Sequence, residues 1–267
     1  MLLHLIGETT RHAGHADIVR GSIDGATCRT LMGGSGGLAG AGPARLSGSY
    51  SGGRMEIQVW SDFACPWCAL GFYRLDAALT RFEHGDAVEV AHRSYELDPH
   101  APARRDLTSE QAVARKYGLG TEQVKAGQAQ LTELGRQVGM VFRFDRVQLG
   151  NTFDAHRLAQ AARGQDSEDA LIKGLFAAYF TEGRLLSDHA VLAEVAASAG
   201  LEAGLTDKVL GGELYAREVR LDESAAYELE VTGVPYFLIN GAWPIPGAQE
   251  VETLVTVLER AWARSAH

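Results

Sequence analysis

From Met55 onward, hydrophobic and polar positions follow regular periods that predict strands and helices. Residues 56–60 form a short apolar run typical of a buried strand, and residues 69–82 carry the three- and four-residue apolar spacing of a helix with one buried face. The alternation over Val88–Arg93 predicts a second strand. A β-α-β unit of this length implies two parallel strands joined by a right-handed crossover.

The segment 103–210 has helical apolar spacing and almost no strand signal. Thr108 and Thr121 begin polar sequences that are typical of helix starts. Only residues 140–144 resemble a strand, and they do so weakly. We therefore predict an all-helical domain at this place in the chain.

The α/β pattern resumes after this segment. Residues 214–230 predict a helix, and Tyr236–Asn240 predicts a strand. The dipeptide Asn240-Gly241 is a strong signal for a hairpin turn. It leads into a short strand over 242–245, and Pro244 and Pro246 are tolerated only at the edge of a sheet. A last amphipathic segment predicts a closing helix.

These elements predict an α/β domain in two parts, residues 55–102 and 211–267, with a helical insertion domain over 103–210 between them. The first 54 residues are different, because they hold 13 of the 31 glycines and show no apolar period. Such a segment buries too little apolar surface to offset its ordering entropy, which predicts a disordered extension. Met55 stands directly before the first predicted strand, so a misassigned start codon would explain the segment.

Composition and charge limit the classes of partner. With 267 residues and 46% apolar content, the chain can bury a core. No apolar run approaches the ~20 residues of a membrane-spanning helix. The formal net charge of -9 disfavours nucleic acid as a partner. A cytoplasmic protein is expected, since the first residues lack the basic part of a signal peptide and two of the three cysteines form one CxxC.

The strongest chemical signal is the tetrapeptide Cys65-Pro66-Trp67-Cys68, which stands where the first predicted strand turns into the first helix. A CxxC in this position is the thioredoxin-type redox motif. Unpaired N–H groups and the positive end of the helix dipole stabilise a thiolate there. Cys65 is therefore predicted to be the exposed nucleophile, and Cys68 the buried resolving thiol. Pro66 and Trp67 are expected to tune the reduction potential.

Zinc binding and a structural disulfide are the alternatives for this pair. Tetrahedral zinc needs two more ligands at matching spacing, and the only other cysteine, Cys28, lies in the predicted extension. The histidines that follow, His84, His92 and His100, do not form an H-x₃₋₅-H pair. Redox chemistry without a metal is therefore preferred.

With these motifs the chain resembles the DsbA-like thioredoxin superfamily, and within it the cytosolic FrnE-like branch. The resemblance runs from Met55 to about Arg264 and is carried by the segments 61–68, 151–158 and 232–237. It implies a thioredoxin fold, of the α/β class, with a large inserted all-helical domain.

The resemblance also implies roles for residues outside the CxxC. Pro235 matches the cis-proline that thioredoxin folds carry beside the active-site disulfide, and the backbone of Val234 is expected to pair with an extended substrate. A trans proline that simply enters a strand is the alternative. Asn151 and His156 are expected to bind substrate in the cleft; the alternative is that Asn151 or Thr152 caps a helix on which His156 packs.

The implied function is thiol–disulfide exchange, in which Cys65 forms a mixed disulfide with the substrate and Cys68 resolves it. No bound cofactor is expected beyond the redox-active disulfide. The expected partners are proteins or small molecules with thiols or disulfides, and glutathione is a candidate co-substrate. One alternative is a glutathione-dependent enzyme similar to chromene-carboxylate isomerases and kappa-class glutathione transferases, which typically carry a serine where Cys65 stands. The other is a chaperone-like binding module.

We expect residues 1–54 to be dispensable. A chain that starts at Met55 should keep its melting temperature and its exchange activity, since every predicted element lies after that point. Melting and insulin reduction compare the two forms, and sequencing the N-terminus of the native protein identifies its first residue. A melting temperature lowered by several degrees on truncation would show that the segment belongs to the structure.

Overall fold

A computed structural model describes residues 54–265. The predicted extension, with Cys28, lies almost entirely outside the described residues, so what was predicted for it stays a prediction. Between residues 54 and 265, none of the helices combines the length and the apolar character needed to cross a bilayer.

The centre of the fold is a four-stranded mixed sheet with the strand order β2-β1-β3-β4. The strands are Met55–Ser61 (β1), Val88–Ser94 (β2), Tyr236–Ile239 (β3) and Trp243–Pro246 (β4). β1 and β2 are parallel, whereas β3 is antiparallel to both β1 and β4. The parallel pair and the edge position of β4 confirm two predictions from the sequence.

Nine α-helices lie in the described part of the chain. They are α1 Pro66–Arg81, α2 Ser109–Tyr117, α3 Thr121–Gln137, α4 Phe153–Ala162, α5 Glu168–Ala177, α6 His189–Ser198, α7 Ala203–Leu210, α8 Ala216–Glu228 and α9 Val251–Ser265. Seven of them, α2 to α8, stand between β2 and β3 in the chain. The α/β class with a large helical insertion is thereby confirmed.

Short sequence signals determine where several of these helices begin and where the hairpin turns. Thr108 caps α2 through a capping box, in which its Oγ1 accepts the Gln111 N–H at 3.1 Å and the Gln111 side chain accepts the Thr108 N–H at 3.1 Å. Asn240 and Gly241 both have positive φ, 49° and 65°, as the predicted hairpin turn requires. The cap of α3 is Gly120, one residue before the predicted start.

Residues 140–144 do not form a strand, although their alternation resembles one. They have no neighbouring strand; instead the Arg143 N–H donates to the Phe180 carbonyl at 2.8 Å. The rings of Phe142 and Phe144 stack with centroids 5.2 Å apart. The alternation therefore serves to place two aromatic rings in the core of the insertion.

Helix α1 contributes to two separate hydrophobic cores. Leu75 and Ala78 face the sheet and pack with residues of β1, β3, β4 and α9. Cys68, Ala69 and Phe72 face the helical insertion and belong to its core. The opposite face of the sheet is covered by α8, which packs on Trp60 and Leu238.

The carboxylate of Asp222 on α8 joins the insertion to the sheet. It accepts hydrogen bonds from the Ser94 N–H at 3.0 Å, from Gln160 Nε2 at 2.5 Å and from Arg163 Nη2 at 2.6 Å. Asp222 is buried. A buried charge contributes to a stable structure only when it is paired and hydrogen-bonded, and this one ties β2 to α4 and α8.

Asp222→Ala should lower the free energy of unfolding by about 3–5 kcal/mol, because it leaves buried donors unpaired. Glu228→Ala is the matched control, since Glu228 is an exposed acid on the same helix. That change should stay within about 0.5 kcal/mol. Urea unfolding of the three proteins gives both values, and similar losses for the two variants would contradict the prediction.

Candidate active site

The CPWC tetrapeptide forms the start of α1, directly after β1. Cys65 is the N-cap residue with an extended backbone, and Pro66 stands in the first turn, where its missing N–H costs no helical hydrogen bond. The Cys65 carbonyl accepts the N–H groups of Cys68 at 3.1 Å and of Ala69 at 3.2 Å. No acidic side chain in this turn opposes a negative charge on sulfur.

The two thiols have different surroundings. Both cysteines are free, and their exposed fractions are 6% for Cys65 and 1% for Cys68. Cys65 lines a cavity, and Cys68 does not. Burial, together with the neighbouring Cys65, raises the pKa of the Cys68 thiol. The prediction that Cys65 is exposed is wrong at the level of the residue, because Cys65 is buried and reaches open space only on the side that faces the cavity.

Val234 and Pro235 lie beside Cys65. The peptide bond between them is cis, and the Cys65 Sγ lies 3.7 Å from the Val234 carbonyl oxygen. Gly71 on α1 allows this approach, since a Cβ at that position would lie 2.9 Å from Pro235 Cγ. The Gly247 N–H donates to the Pro235 carbonyl at 2.8 Å. The two residues that the sequence singled out are therefore next to the cysteine pair.

Arg74 holds the loop that precedes α9. Its Nη1 donates to the Ala248 carbonyl at 2.7 Å, and its Nη2 lies 2.7 Å from Glu250 Oε1. Only 3% of Arg74 is exposed. The sequence pattern predicts no role for Arg74, although its position one turn from Leu70 and from Ala78 on the buried face of α1 is a usable signal.

A cavity of about 890 Å³ opens beside Cys65. Its floor includes Pro66 and Trp67, and the segment 232–235 forms one side. The helical insertion supplies most of the remaining lining, largely with apolar side chains, and adds the cations Arg105, Arg115 and Lys116. No sequence signal connects these cations to the CPWC, because they are brought there by the tertiary fold.

Asn151 and His156 are not among the residues that line this cavity, so their expected contact with substrate stays a prediction. Asn151 Oδ1 accepts the Phe153 N–H at 2.8 Å, and its Nδ2 donates to the Ala101 carbonyl at 3.3 Å. Its side chain therefore binds the first N–H of α4 from the position before the N-cap residue, Thr152. His156 is 2% exposed and packs on Phe63, with ring centroids 4.8 Å apart.

Asp62 is a buried carboxylate between β1 and the CPWC. Its Oδ1 accepts Thr152 Oγ1 at 2.9 Å, and its Oδ2 accepts the Leu97 N–H at 2.7 Å. The Nε2 of His156 lies 3.5 Å from Asp62 Oδ1, at the long limit of a hydrogen bond.

The environment of Asp62 favours its charged form. Burial raises the pKa of Asp62, but His156 and the backbone N–H groups of Leu97 and Ala64 outweigh this effect and lower the pKa below its usual value. The motif that carries the family resemblance contains Asp62, although the sequence gives it no role. A carboxylate directly after a buried strand was the available signal.

Within residues 54–265, no three histidine, cysteine or acidic side chains are grouped so that they could hold a metal ion. The cysteine pair, the Val234 carbonyl and the cavity thus form one site. It can accept a sulfur-containing substrate at Cys65 and keeps a second thiol behind it.

Residues 56–259 match the family model of the DSBA-like thioredoxin domain. The chain belongs to this family. A second match, to Mycothiol-S-transferase, covers residues 1–25, which lie outside the described residues. The DsbA-like part therefore accounts for the sheet, the insertion and the cysteine pair.

Solved structures resemble this DsbA-like protein over most of its length. The probable DsbA oxidoreductase from Streptomyces coelicolor is 38% identical, with a TM-score of 0.75 over 79% of this chain and 91% of that one. A 2-hydroxychromene-2-carboxylate isomerase is 15% identical, with a TM-score of 0.58 over 79% and 98%. The cytosolic disulfide reductase DsbM from Pseudomonas aeruginosa, described with GSH, is 18% identical, with a TM-score of 0.52 over 79% and 98%. The last two show a shared fold.

In the reduced DsbA-like protein, a small alkylating reagent should modify Cys65 much faster than Cys68. Cys65 reaches the cavity, whereas burial hides the Cys68 thiol and raises its pKa. Mass spectrometry of peptides after short exposures near neutral pH locates the modified sulfur. The Cys65→Ser variant is the control and should be alkylated slowly; faster modification of Cys68 than of Cys65 would contradict the assignment.

Proposed function

We propose that this DsbA-like protein is a thiol–disulfide oxidoreductase in which Cys65 is the nucleophile and Cys68 the resolving thiol. The observation that carries the proposal is the asymmetric cysteine pair at the start of α1, of which only Cys65 faces the cavity. Membership of the DSBA-like family supports oxidoreductase chemistry at a general level.

The first step forms a mixed disulfide. The Cys65 thiolate, placed at the positive end of α1, attacks one sulfur of a substrate disulfide in the cavity. The substrate S–S bond breaks, its other sulfur leaves as a thiolate, and this thiolate takes a proton from solvent.

The second step releases the substrate. Cys68 loses its proton and attacks the Cys65 sulfur, which forms the Cys65–Cys68 disulfide and expels the second substrate thiolate. The substrate disulfide gains two electrons and the cysteine pair loses two. Run in reverse, the same steps oxidise a dithiol. The net direction follows from the reduction potential of the pair relative to that of its surroundings.

The cavity supports substrates with an extended backbone and an apolar part. The Val234 carbonyl beside Cys65 can accept an N–H from a peptide that lies across the site, in the manner of an added strand. Trp67 and the apolar wall of the insertion would contact side chains on either side of the disulfide. Pro66 and Trp67 would also set the reduction potential.

Two low-molecular-weight thiols are candidate co-substrates. Glutathione is one, because the structurally similar DsbM is described with GSH. A mycothiol-type thiol is the other, because residues 1–25 match Mycothiol-S-transferase. Both would enter the cavity and form the mixed disulfide on Cys65.

A glutathione-dependent isomerase is the second candidate function, supported by the shared fold of the 2-hydroxychromene-2-carboxylate isomerase. The presence of Cys68 behind Cys65 favours exchange over isomerisation, since an isomerase has no use for a resolving thiol. A chaperone-like module would likewise leave both cysteines without a role.

The test is insulin reduction, measured with wild type and with the Cys65→Ser and Cys68→Ser variants. Cys65→Ser should lose activity, because no nucleophile faces the cavity. Cys68→Ser should still attack but should accumulate a mixed disulfide on Cys65, which mass spectrometry detects. Full activity of Cys65→Ser, or of Cys68→Ser without a trapped adduct, would contradict the proposal.

The same proteins distinguish the co-substrates. The oxidised wild type is mixed with glutathione in one arm and with mycothiol in the other, and the rate at which the dithiol is recovered is compared. Turnover of a chromene-carboxylate substrate by Cys68→Ser at the wild-type rate would instead favour the isomerase.

A further inference from the structure

Two cations of helix α2 line the cavity that Cys65 faces. One face of α2 contributes Ser109, Ala112, Val113 and Lys116, which follow the spacing of residues that share a helix face. Arg115, beside Lys116 in the last turn, lines the cavity as well. Both cations are also exposed, so their charges lie where the cavity meets solvent. The two steps of the proposed exchange reaction give neither of them a role.

The lining of the cavity has an excess of positive charge. Its charged side chains are Asp98, Arg105, Arg115 and Lys116. Arg105 forms an ion pair with Asp98, which cancels one of the positive charges. In the part of the chain that the structure describes, no carboxylate pairs with Arg115 or Lys116. The charges of these two side chains are therefore available to a ligand.

The helix dipole is the alternative explanation for the two cations, because it favours basic residues in the last turn of any helix. Lys208 has such a position at the end of α7, and it is exposed without lining the cavity. The dipole thus accounts for basic residues at these sequence positions, but it does not require their charges to lie in the cavity of the nucleophile. On a chain with a formal net charge of -9, a local excess of positive charge concentrates anions at that place.

We propose that Arg115 and Lys116 make the site selective for disulfides that carry a negative charge beside an apolar group. The inference rests on the proposed exchange reaction and names its class of substrate. Cys65 attacks as a thiolate, so an anionic disulfide would otherwise be repelled by the nucleophile and by the net charge of the chain. The two cations attract the charged end of the substrate, and the apolar lining, with Trp67 and Phe144, contacts the rest. The bonds formed and broken remain those of the two exchange steps.

This selectivity separates the two candidate co-substrates. Glutathione carries a net negative charge at neutral pH, because its carboxylates outnumber its ammonium group. Mycothiol has no ionised group besides its thiol. The cations of α2 should therefore favour glutathione disulfide over mycothiol disulfide.

The test compares two small disulfides that release an absorbing product, the anionic dithiobis(nitrobenzoate) and the neutral dithiodipyridine. Stopped-flow absorbance gives the rate constant for attack by the reduced protein on each. The anionic-to-neutral ratio of the two rate constants measures selectivity, because the reactivity of the Cys65 thiolate cancels. The test variant is Arg115→Gln/Lys116→Gln. The matched control is Lys208→Gln/Arg217→Gln, which removes the same charge from exposed residues outside the cavity lining.

At low ionic strength, Arg115→Gln/Lys116→Gln should lower the anionic-to-neutral ratio about 10-fold, the lower end of the range for electrostatic steering. Each single replacement should give part of this loss, and the control should keep the wild-type ratio. Added salt should lower the ratio of wild type towards that of the double variant, because the Debye length falls to about 3 Å at 1 M. A purely structural role of the two side chains would depend neither on substrate charge nor on salt. Glutathione disulfide should lose rate in the double variant to a greater extent than mycothiol disulfide.

Equal slowing with both reagents would overturn the selectivity, as would an unchanged ratio or an equal loss in the control. Thermal melting verifies folding, and if the double variant does not fold, Arg115→Gln and Lys116→Gln are measured separately. Failure of the proposed function has a different signature. In that case wild type does not reduce insulin, whereas its anionic-to-neutral ratio still falls when the two cations of α2 are replaced.

Discussion

The packing of α1 between two hydrophobic cores is the constraint on which the site depends. Leu75 and Ala78 hold one face of the helix on the sheet, and Cys68, Ala69 and Phe72 hold the other in the insertion. Protein interiors are densely packed and resist small displacements. Helix α1 therefore cannot rotate about its axis without opening one of the two cores. The start of α1, and with it the direction of the Cys65 sulfur, is thereby fixed. The insertion is part of the candidate site, since it also lines much of the cavity.

Those parts of the fold that depend on local sequence could be predicted. The alternation in β2, the apolar spacing of the helices, the capping box at Thr108 and the Asn240-Gly241 turn are all encoded within a few residues of one another. The position of the CPWC could also be predicted, because the chemistry of a helix N-terminus depends only on which residues precede and follow it. Short sequence patterns therefore predicted the order of the helices and strands and the position of the cysteine pair.

Contacts between distant segments could not be obtained in this way. Asp62 contacts His156 only after the insertion has packed against the sheet. The same is true of the contact between Arg74 and the loop before α9. The substrate role expected for Asn151 stays a prediction, and the structure shows a local hydrogen bond from the Phe153 N–H to its side chain. The roles of polar residues near a motif are difficult to predict from sequence, because a helix cap, a buried pair and a ligand contact require the same residue types.

The prolines of β4 have a consequence for solubility. Strand β4 forms one edge of the sheet, and two of its four residues, Pro244 and Pro246, have no N–H to offer. An edge strand with all its donors free is a template for pairing with another copy of the same chain. Here half of the donors are missing, so this edge is a poor template for intermolecular strand addition. The same two prolines thus disfavour association of two copies of the chain through this edge of the sheet.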